Sequence, residues 1–248
     1  HGVTAAHVNA AGPEELEDYR GNVHATGIFS GRMDHPGIHL LDAGENLADV
    51  VEFLSAPDTA GVERAIWIGT QDDVGILTHL NSHNVSGRVY VSVTCDLPVD
   101  QLAGWSVVVV FDGEVRLRLG ELTQTGVPFS IGGLDSPWEL ITRALYDGPA
   151  AISARAGFNA LTRGTWRLTP GMNAPRGMLT VGGVADLAVW QVDALAVQAP
   201  QTSRAQWSTD KRAGTPLLPA LGSKETPPTL VGLLSEGRVV VDRGGVLR

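Results

Sequence analysis

The sequence has 248 residues, enough for one large domain or for a domain with a smaller lobe. Hydrophobic residues make up 43% and charged residues 18%, which is typical of a globular protein and excludes a disordered or fibrous chain. The net charge of −9 argues against a nucleic-acid partner, because phosphate binding requires clustered Lys and Arg.

Strand-like and helix-like periods alternate along most of the chain, as expected of a parallel α/β fold. The predicted strands are Val3–Val8, Thr26–Ser30, Gly37–Leu41, Arg64–Gly69, Gly87–Val93, Ser106–Phe111 and Val127–Gly132. The predicted helices are Glu45–Leu54, Asp72–Ser82, Leu117–Gln124 and Trp138–Leu145, with a brief helix or turn at Pro13–Tyr19 and one further helix around Phe158–Thr162. We therefore predict a parallel sheet with right-handed crossovers.

The sequence pattern changes near residue 170, where Gly- and Pro-rich turns and short strands replace the alternation of strands and helices. We predict two domains, residues 1–170 and 171–248. In the second, Met178–Trp190 and Gly232–Leu247 are expected to pair as antiparallel strands, whereas Gln198–Pro228 is predicted to be a long surface loop. The final hairpin is expected to turn at Asp242–Gly245, and the side chains expected to face inward are Leu187, Val189, Val239 and Val241.

Three phrases of the sequence resemble the amidohydrolase superfamily, and in particular its imidazolonepropionase-like branch. They are the segment Arg176–Trp190 with its Ala185-Asp186 step, the strand and helix of Gly37–Phe53, and the segment Thr125–Ser136 that ends in Asp135 and Ser136. The resemblance implies a TIM-like (β/α) barrel that is incomplete at its N-terminus, followed by a small β-sandwich lobe. It also implies a metal-dependent hydrolase that acts on a C–N bond of a small-molecule substrate.

His39 and Asp135 are the candidate metal ligands, because each lies at the carboxyl end of a short apolar strand, where parallel barrels gather reactive groups. Imidazole and carboxylate suit Zn²⁺ or a similar divalent metal, and Asp135 is the candidate catalytic base for metal-bound water. Alternatively, His39 is a strand-end histidine with satisfied hydrogen bonds, and Asp135 caps the helix that contains Trp138. No His-x-His pair occurs, so the other ligands would come from a further segment or chain.

Other candidates have equally simple structural explanations. His79 and His83 are four residues apart on a predicted helix and either clamp a metal or form a polar helix end. Cys95 is either a residue that faces a pocket or a small buried hydrophobe, and Asp112 with Glu114 is either a carboxylate pair or a turn. A catalytically inactive relative with a binding or assembly role, and with no metal, is the alternative to the hydrolase.

The expected surroundings of the protein follow from the same observations. No apolar run approaches the roughly 18–20 residues of a membrane span and no signal peptide opens the chain, so we expect a cytoplasmic location and no membrane partner. Strand edges left uncovered by an incomplete barrel pair readily with other chains. We therefore expect a homo-oligomer or a missing N-terminal segment or chain, with the contact beside Val3–Val8 and along the C-terminal hairpin.

Overall fold

A computed structural model describes residues 5–9, 24–30, 38–57, 63–133, 135–167, 176–199, 207–208 and 217–247, with the backbone alone for 5–9, 24–30 and 207–208. The strands are β1 (Ala5–Asn9), β2 (His24–Ser30), β3 (Ile38–Asp42), β4 (Glu63–Ile68), β5 (Arg88–Ser92), β6 (Ser106–Phe111), β7 (Phe129–Gly133), β8 (Leu187–Gln191), β9 (Leu195–Gln198), β10 (Trp207–Ser208), β11 (Leu218–Pro219), β12 (Thr229–Ser235) and β13 (Arg238–Asp242). The α-helices are α1 (Leu47–Ser55), α2 (Ile76–Ser82), α3 (Leu119–Thr125), α4 (Pro137–Tyr146), α5 (Ala154–Asn159) and α6 (Thr165–Arg167).

Shorter helical turns complete this part of the chain. A 3₁₀ turn at Gln71–Gly75 leads into α2, another at Val99–Leu102 precedes β6, and a π-helical turn at Ala160–Gly164 joins α5 to α6. No helix in the described ranges is long and apolar enough to cross a membrane. The predicted turn or helix at Pro13–Tyr19 and the predicted domain boundary at residue 170 lie outside the described residues.

The first seven strands form one parallel sheet whose strand order follows the chain from β1 to β7. Each pair of neighbouring strands is parallel. The predicted α/β class is therefore confirmed, and β6 has the predicted bounds at both ends. Helices or 3₁₀ turns connect the strands from β3 to β7.

Local sequence explains where the helices begin. Helix α1 repeats apolar side chains on one face, and the Asn46 side chain accepts a hydrogen bond from the Ala48 amide at its start. Helix α4 begins with a capping box, in which the Ser136 hydroxyl accepts from the Glu139 amide and the Glu139 carboxylate accepts from the Ser136 amide. These caps position the segments that follow β3 and β7.

The two faces of the parallel sheet have different coverings. One face buries strand residues such as Ile66 and Val109 in a common core with helix residues such as Leu77 and Leu122. The opposite face, here called the inner face, carries a separate buried cluster made of Ile38, Ala65, Tyr90 and Val108, with Leu40, Trp67 and Val110 packed against it. The helices of the described part that share the large core therefore pack on one face of the sheet.

The C-terminal strands form two small antiparallel sheets, ordered β13-β12-β8 and β10-β9-β11. The predicted antiparallel pairing of this region is therefore present, through β12. Part of the predicted loop Gln198–Pro228 instead forms the strands β10 and β11, because short extended segments on both sides pair with β9.

Two predictions about the final hairpin are wrong. The turn between β12 and β13 lies at Glu236 and Gly237, not at residues 242–245, and both residues have positive φ angles, 52° and 79°. Two consecutive left-handed residues form the tight turn whose twist matches paired strands. Val189 and Val239 were expected to face inward, yet they are 38% and 55% exposed. In β13 the pairing skips Val240, between Val239 and Val241, which interrupts the alternation on which the expectation for Val239 depended.

An ion cluster and an aromatic cluster hold the C-terminal strands in place. The largely buried Arg176 guanidinium bonds the carboxylates of Asp186 and Glu236, and Asp186 also accepts the backbone N–H of Glu236 at the hairpin turn. Trp190 of β8 packs edge-on against Trp138 of α4, with ring centroids 5.6 Å apart. The Ala185-Asp186 step of the sequence therefore has a structural role at the hairpin.

Candidate functional site

The carboxyl ends of neighbouring parallel strands place polar side chains along one edge of the sheet. Asp42 ends β3, Ser92 ends β5, and Asp112 directly follows β6. Asp42 lies opposite Trp67, and Trp67 lies opposite Tyr90, so these side chains share the inner face. In parallel α/β folds this edge is where binding and catalytic groups collect.

A cleft of about 440 Å³ opens at this edge, over the ends of β3 and β4. Its lining consists of Asp42, Gly44, Glu45, Trp67, Gly69, Thr70 and Asp73. Three of these described residues carry carboxylates and none is basic, so the cleft attracts a cationic group. The half-buried indole of Trp67 adds an aromatic surface of the kind that binds cations.

The loop after β4 fixes one wall of the cleft. One carboxylate oxygen of Asp73 accepts the backbone N–H groups of Gly69 and Thr70, at 3.2 and 2.8 Å. Position 69 requires glycine, because a Cβ there would clash with the Trp67 indole at 2.5 Å from its Nε1 atom. The indole therefore rests against the backbone of the loop, and the loop is tied to Asp73.

A second polar group lies at the same edge of the sheet, at the ends of β5 and β6. The Ser92 hydroxyl donates to Oδ1 of Asp112 at 2.6 Å and lies 2.7 Å from the hydroxyl of Thr94. Ser92 is fully buried and Asp112 is exposed, so the Asp112 carboxylate lies between the buried hydroxyl and the solvent. A buried hydroxyl held by an exposed carboxylate suits the orientation of a polar ligand at this edge.

His39 does not lie at this edge. It is the second residue of β3, opposite Arg64, and therefore lies on the face that carries Ile66 and the helix core. The inner face of the same strand carries Ile38 and Leu40. The expectation that His39 ends its strand is wrong because β3 continues through Asp42, three residues beyond it.

Asp135 does follow the last parallel strand, β7, as predicted. Its carboxylate lies 2.9 Å from Nη1 of Arg143 on α4, and the same guanidinium bonds the Gly113 carbonyl and lies over the Phe111 ring. The alternative role, capping α4, belongs to Ser136 instead. The described partner of the Asp135 carboxylate is thus Arg143 of α4.

The other sequence candidates have structural partners. Nδ1 of His83 lies 2.9 Å from the His79 carbonyl, so the two residues form a helix end. Cys95 is fully buried, and burial is the main cause that raises the pKa of its thiol. Asp112 bonds Ser92, as described above, and not Glu114.

The sequence interpretation missed Asp42, Trp67, Asp73 and Ser92. Asp42, Trp67 and Ser92 lie within or just after a predicted strand, so the carboxyl ends of the strands were the signal that would have found them, whereas Asp73 lies at the start of the next predicted helix. In the described ranges no three His, Cys, Asp or Glu side chains lie close enough to hold a metal ion together.

No protein-family model matches the chain, and no curated protein and no solved structure matches it. The resemblance to amidohydrolases therefore depends on the sequence phrases alone.

Proposed function

We propose that this chain is an amidohydrolase-like protein with a binding role, which takes up a small molecule bearing a positively charged group at the carboxyl edge of its parallel sheet. The observation that carries the proposal is the cleft in which Trp67 adjoins the carboxylates of Asp42, Glu45 and Asp73. An aromatic face and carboxylates together recognise amines, guanidines and quaternary ammonium groups.

A barrel-like curvature of the sheet is part of this proposal. The seven strands are parallel and follow chain order, and right-handed crossovers between them would place the connecting helices on one face. The inner face nevertheless buries Ile38, Ala65 and Tyr90, which supports a sheet that curls over its own inner side chains. A TIM-like barrel and a β-sandwich lobe formed by the C-terminal strands are the finer architecture that we propose.

The experiment is a thermal-shift and calorimetric screen with small amines, guanidines and quaternary ammonium compounds, with matched neutral alcohols beside them. We expect the cationic compounds to raise the unfolding midpoint as their concentration increases. Asp42→Asn and Trp67→Leu should each weaken binding by about tenfold or more, which corresponds to about 1.4 kcal/mol. Asp193→Asn, which removes an exposed carboxylate from the C-terminal region, is the matched control and should bind normally. Equal binding by Asp42→Asn and the control would overturn the proposal.

Metal-dependent hydrolysis of a C–N bond is the second candidate function, and the position of Asp135 after β7 favours it. In this version Asp135 acts as the base and binds Zn²⁺ or a similar metal together with groups from another segment or chain. Metal analysis of the purified protein, followed by hydrolysis assays on cyclic amides with and without added zinc, tests it. Zinc at one equivalent that is lost in Asp135→Asn would support hydrolysis, and zinc-independent binding of cations alone would support the first proposal.

A further inference from the structure

A buried arginine lies on the inner face of the sheet, away from the cleft. Arg88 is the first residue of β5, at the opposite end of the strand from Ser92, and it is 5% exposed. Its Nη2 lies 3.0 Å from the Glu63 carboxylate on β4. Its strand neighbours in register are Ala65 and Ser106, which places the guanidinium on the same face as the inner-face cluster.

Several hydrogen-bond donors at this position have no acceptor. Within the part of the chain that the structure describes, Nε and Nη1 of Arg88 and the hydroxyl of Tyr90 are buried and form no hydrogen bond of ordinary geometry. The Arg88 guanidinium nevertheless interacts with the Tyr90 hydroxyl, and this interaction opposes the rise in the pKa of Tyr90. Tyr90 lies two residues along the same strand, is 4% exposed, and has a pKa raised chiefly by burial, so its hydroxyl stays protonated. Buried donors without partners are costly, and folded proteins normally supply an acceptor for them.

Another arginine of the same chain shows what completes such a group. Arg176, which is 10% exposed at its side chain, bonds two carboxylates, those of Asp186 and Glu236. Arg88 is buried to a similar degree and has one carboxylate within ion-pair distance among the described residues, that of Glu63. The comparison indicates that the Arg88 group lacks one oxygen acceptor, and that a carboxylate is the chemical type that fits.

We infer that Arg88 and Tyr90 form an internal site for a small carboxylate anion, held by the free N–H groups of the guanidinium and by the phenol hydroxyl. The site lies toward the amino end of β5, and the cation-binding cleft lies at the carboxyl ends of β3 and β4. The two sites take ligands of opposite charge, so either can fail without the other.

Formate is the probe, because it is the smallest carboxylate and enters where larger anions are excluded. The thermal midpoint is measured in sodium formate and in sodium chloride at equal ionic strength. For the wild-type protein we expect the midpoint to rise with formate concentration, as mass action requires for a ligand that binds the folded state. Tyr90→Phe keeps the buried ring and removes one donor, and should raise the dissociation constant about tenfold.

The double variant Glu63→Gln with Arg88→Met removes both members of the ion pair, which preserves folding better than removing one member. It should lose the formate effect completely. Glu114→Gln with Arg116→Met removes one exposed charge of each sign, as the double variant removes one buried pair, and should keep the effect, which makes it the control for net charge. Equal midpoints in formate and chloride for the wild-type protein, as expected where water alone occupies the site, would overturn the inference. So would a formate effect that survives in the double variant.

Discussion

The parallel sheet and the C-terminal strands bury the same kind of residue in opposite ways. Val109 of β6 is fully buried between the sheet and its helices, whereas Val239 of β13 is 55% exposed. Exposed apolar side chains concentrate in the C-terminal region, namely Met178, Leu179, Val181, Val189, Leu195, Val239, Val240 and Val246. Helices therefore cover and stabilise one face of the parallel sheet, whereas the C-terminal strands are stabilised by contacts other than burial under helices.

Those other contacts are few and specific. Arg176 joins the approach to β8 to the hairpin turn through Asp186 and Glu236. On the side of α4, the Gln198 side chain bonds the Tyr146 hydroxyl and both backbone groups of Leu221. Stability in the parallel region is therefore spread over many apolar contacts, whereas in the C-terminal region it depends on a small number of polar groups.

Loss of Asp186 is expected to have the largest effect. Asp186→Ala removes a buried carboxylate that bonds both Arg176 and the hairpin backbone, and should cost about 3 kcal/mol, because it leaves a buried charge with one exposed partner. Urea unfolding measures the change, and hydrogen exchange shows where it acts. We expect exchange to increase in β8, β12 and β13 and to stay slow in β5 and β6.

Asp193→Ala is the control, since Asp193 is an exposed carboxylate of the same region, and it should change stability by less than about 0.5 kcal/mol. If Asp186→Ala raised exchange equally in the parallel sheet, the two regions would form one cooperative unit. The parallel sheet and the C-terminal strands would then differ in the kind of contacts they make, but not in their stability.

The same substitution at two valines tests the comparison directly. Val109→Ala should cost about 2 kcal/mol, because it removes buried methyl groups and leaves a cavity, while Val239→Ala should cost less than about 0.5 kcal/mol. Alkylation of the single cysteine gives the readout. The Cys95 side chain is fully buried, so the reagent reaches the thiol only when the surrounding structure opens. Val109→Ala should speed alkylation and Val239→Ala should not.

A marked effect of Val239→Ala would show that the exposed face is covered in solution. That outcome would favour the homo-oligomer that the sequence predicts along the hairpin, and sedimentation of the wild-type protein would check it. Equal rates for Val239→Ala and the wild type are the expected result for a free face.

Periodicity predicted the parallel region well and the C-terminal region less well, for a physical reason. In β6, the run of valines from Val107 to Val110 is bounded by Ser106 and Phe111, and burial of both faces makes such a run unambiguous. In β12, bulges interrupt the alternation, and the turn depends on the positive φ of Glu236, a residue type without a strong turn preference. Patterns of apolar residues carry no information about either feature.

The candidate site was harder to predict than the fold. The sequence places His39 at the carboxyl end of its strand, yet β3 continues to Asp42 and its register directs His39 to the helix face. Asp42, three residues later, lies on the inner face at the strand end. The end of a strand is known only to within a few residues from sequence, so the choice between these two positions needed the register.

Backbone conformation at the hairpin turn gives a third test. Gly237 has a φ of 79° and space around its Cβ position, so Gly237→Ala isolates the cost of a left-handed alanine, about 1 kcal/mol. Gly75, between the 3₁₀ turn and α2, also has free space but a helical φ of −59°. Gly75→Ala should therefore stabilise the protein by about 0.5 kcal/mol. Urea unfolding of both variants checks the signs, and two changes of the same sign would contradict the hairpin geometry.

The smallest expected effect concerns the cap of α4 and its dependence on pH. Hydrogen bonds from Ser136 lower the pKa of the Glu139 carboxyl below its ordinary value of 4.5. A carboxyl whose pKa is lower in the folded state stabilises the protein above its ordinary pKa, and this stabilisation is lost as the pH falls through the lowered value.

Glu139→Gln keeps a side chain that can accept the Ser136 amide but removes the titration, so the acid limb of its stability curve should be flatter than that of the wild type. Unfolding midpoints measured between pH 7 and pH 3 provide the check, with Glu114→Gln as an exposed control that should follow the wild type. The cap fixes the start of the helix that follows β7 and carries Arg143, the partner of Asp135. If Glu139→Gln and the wild type lost stability in parallel below pH 4.5, the Glu139 carboxylate would not hold this helix start in solution, and the capping box would contribute nothing to the position of the helix that carries Arg143.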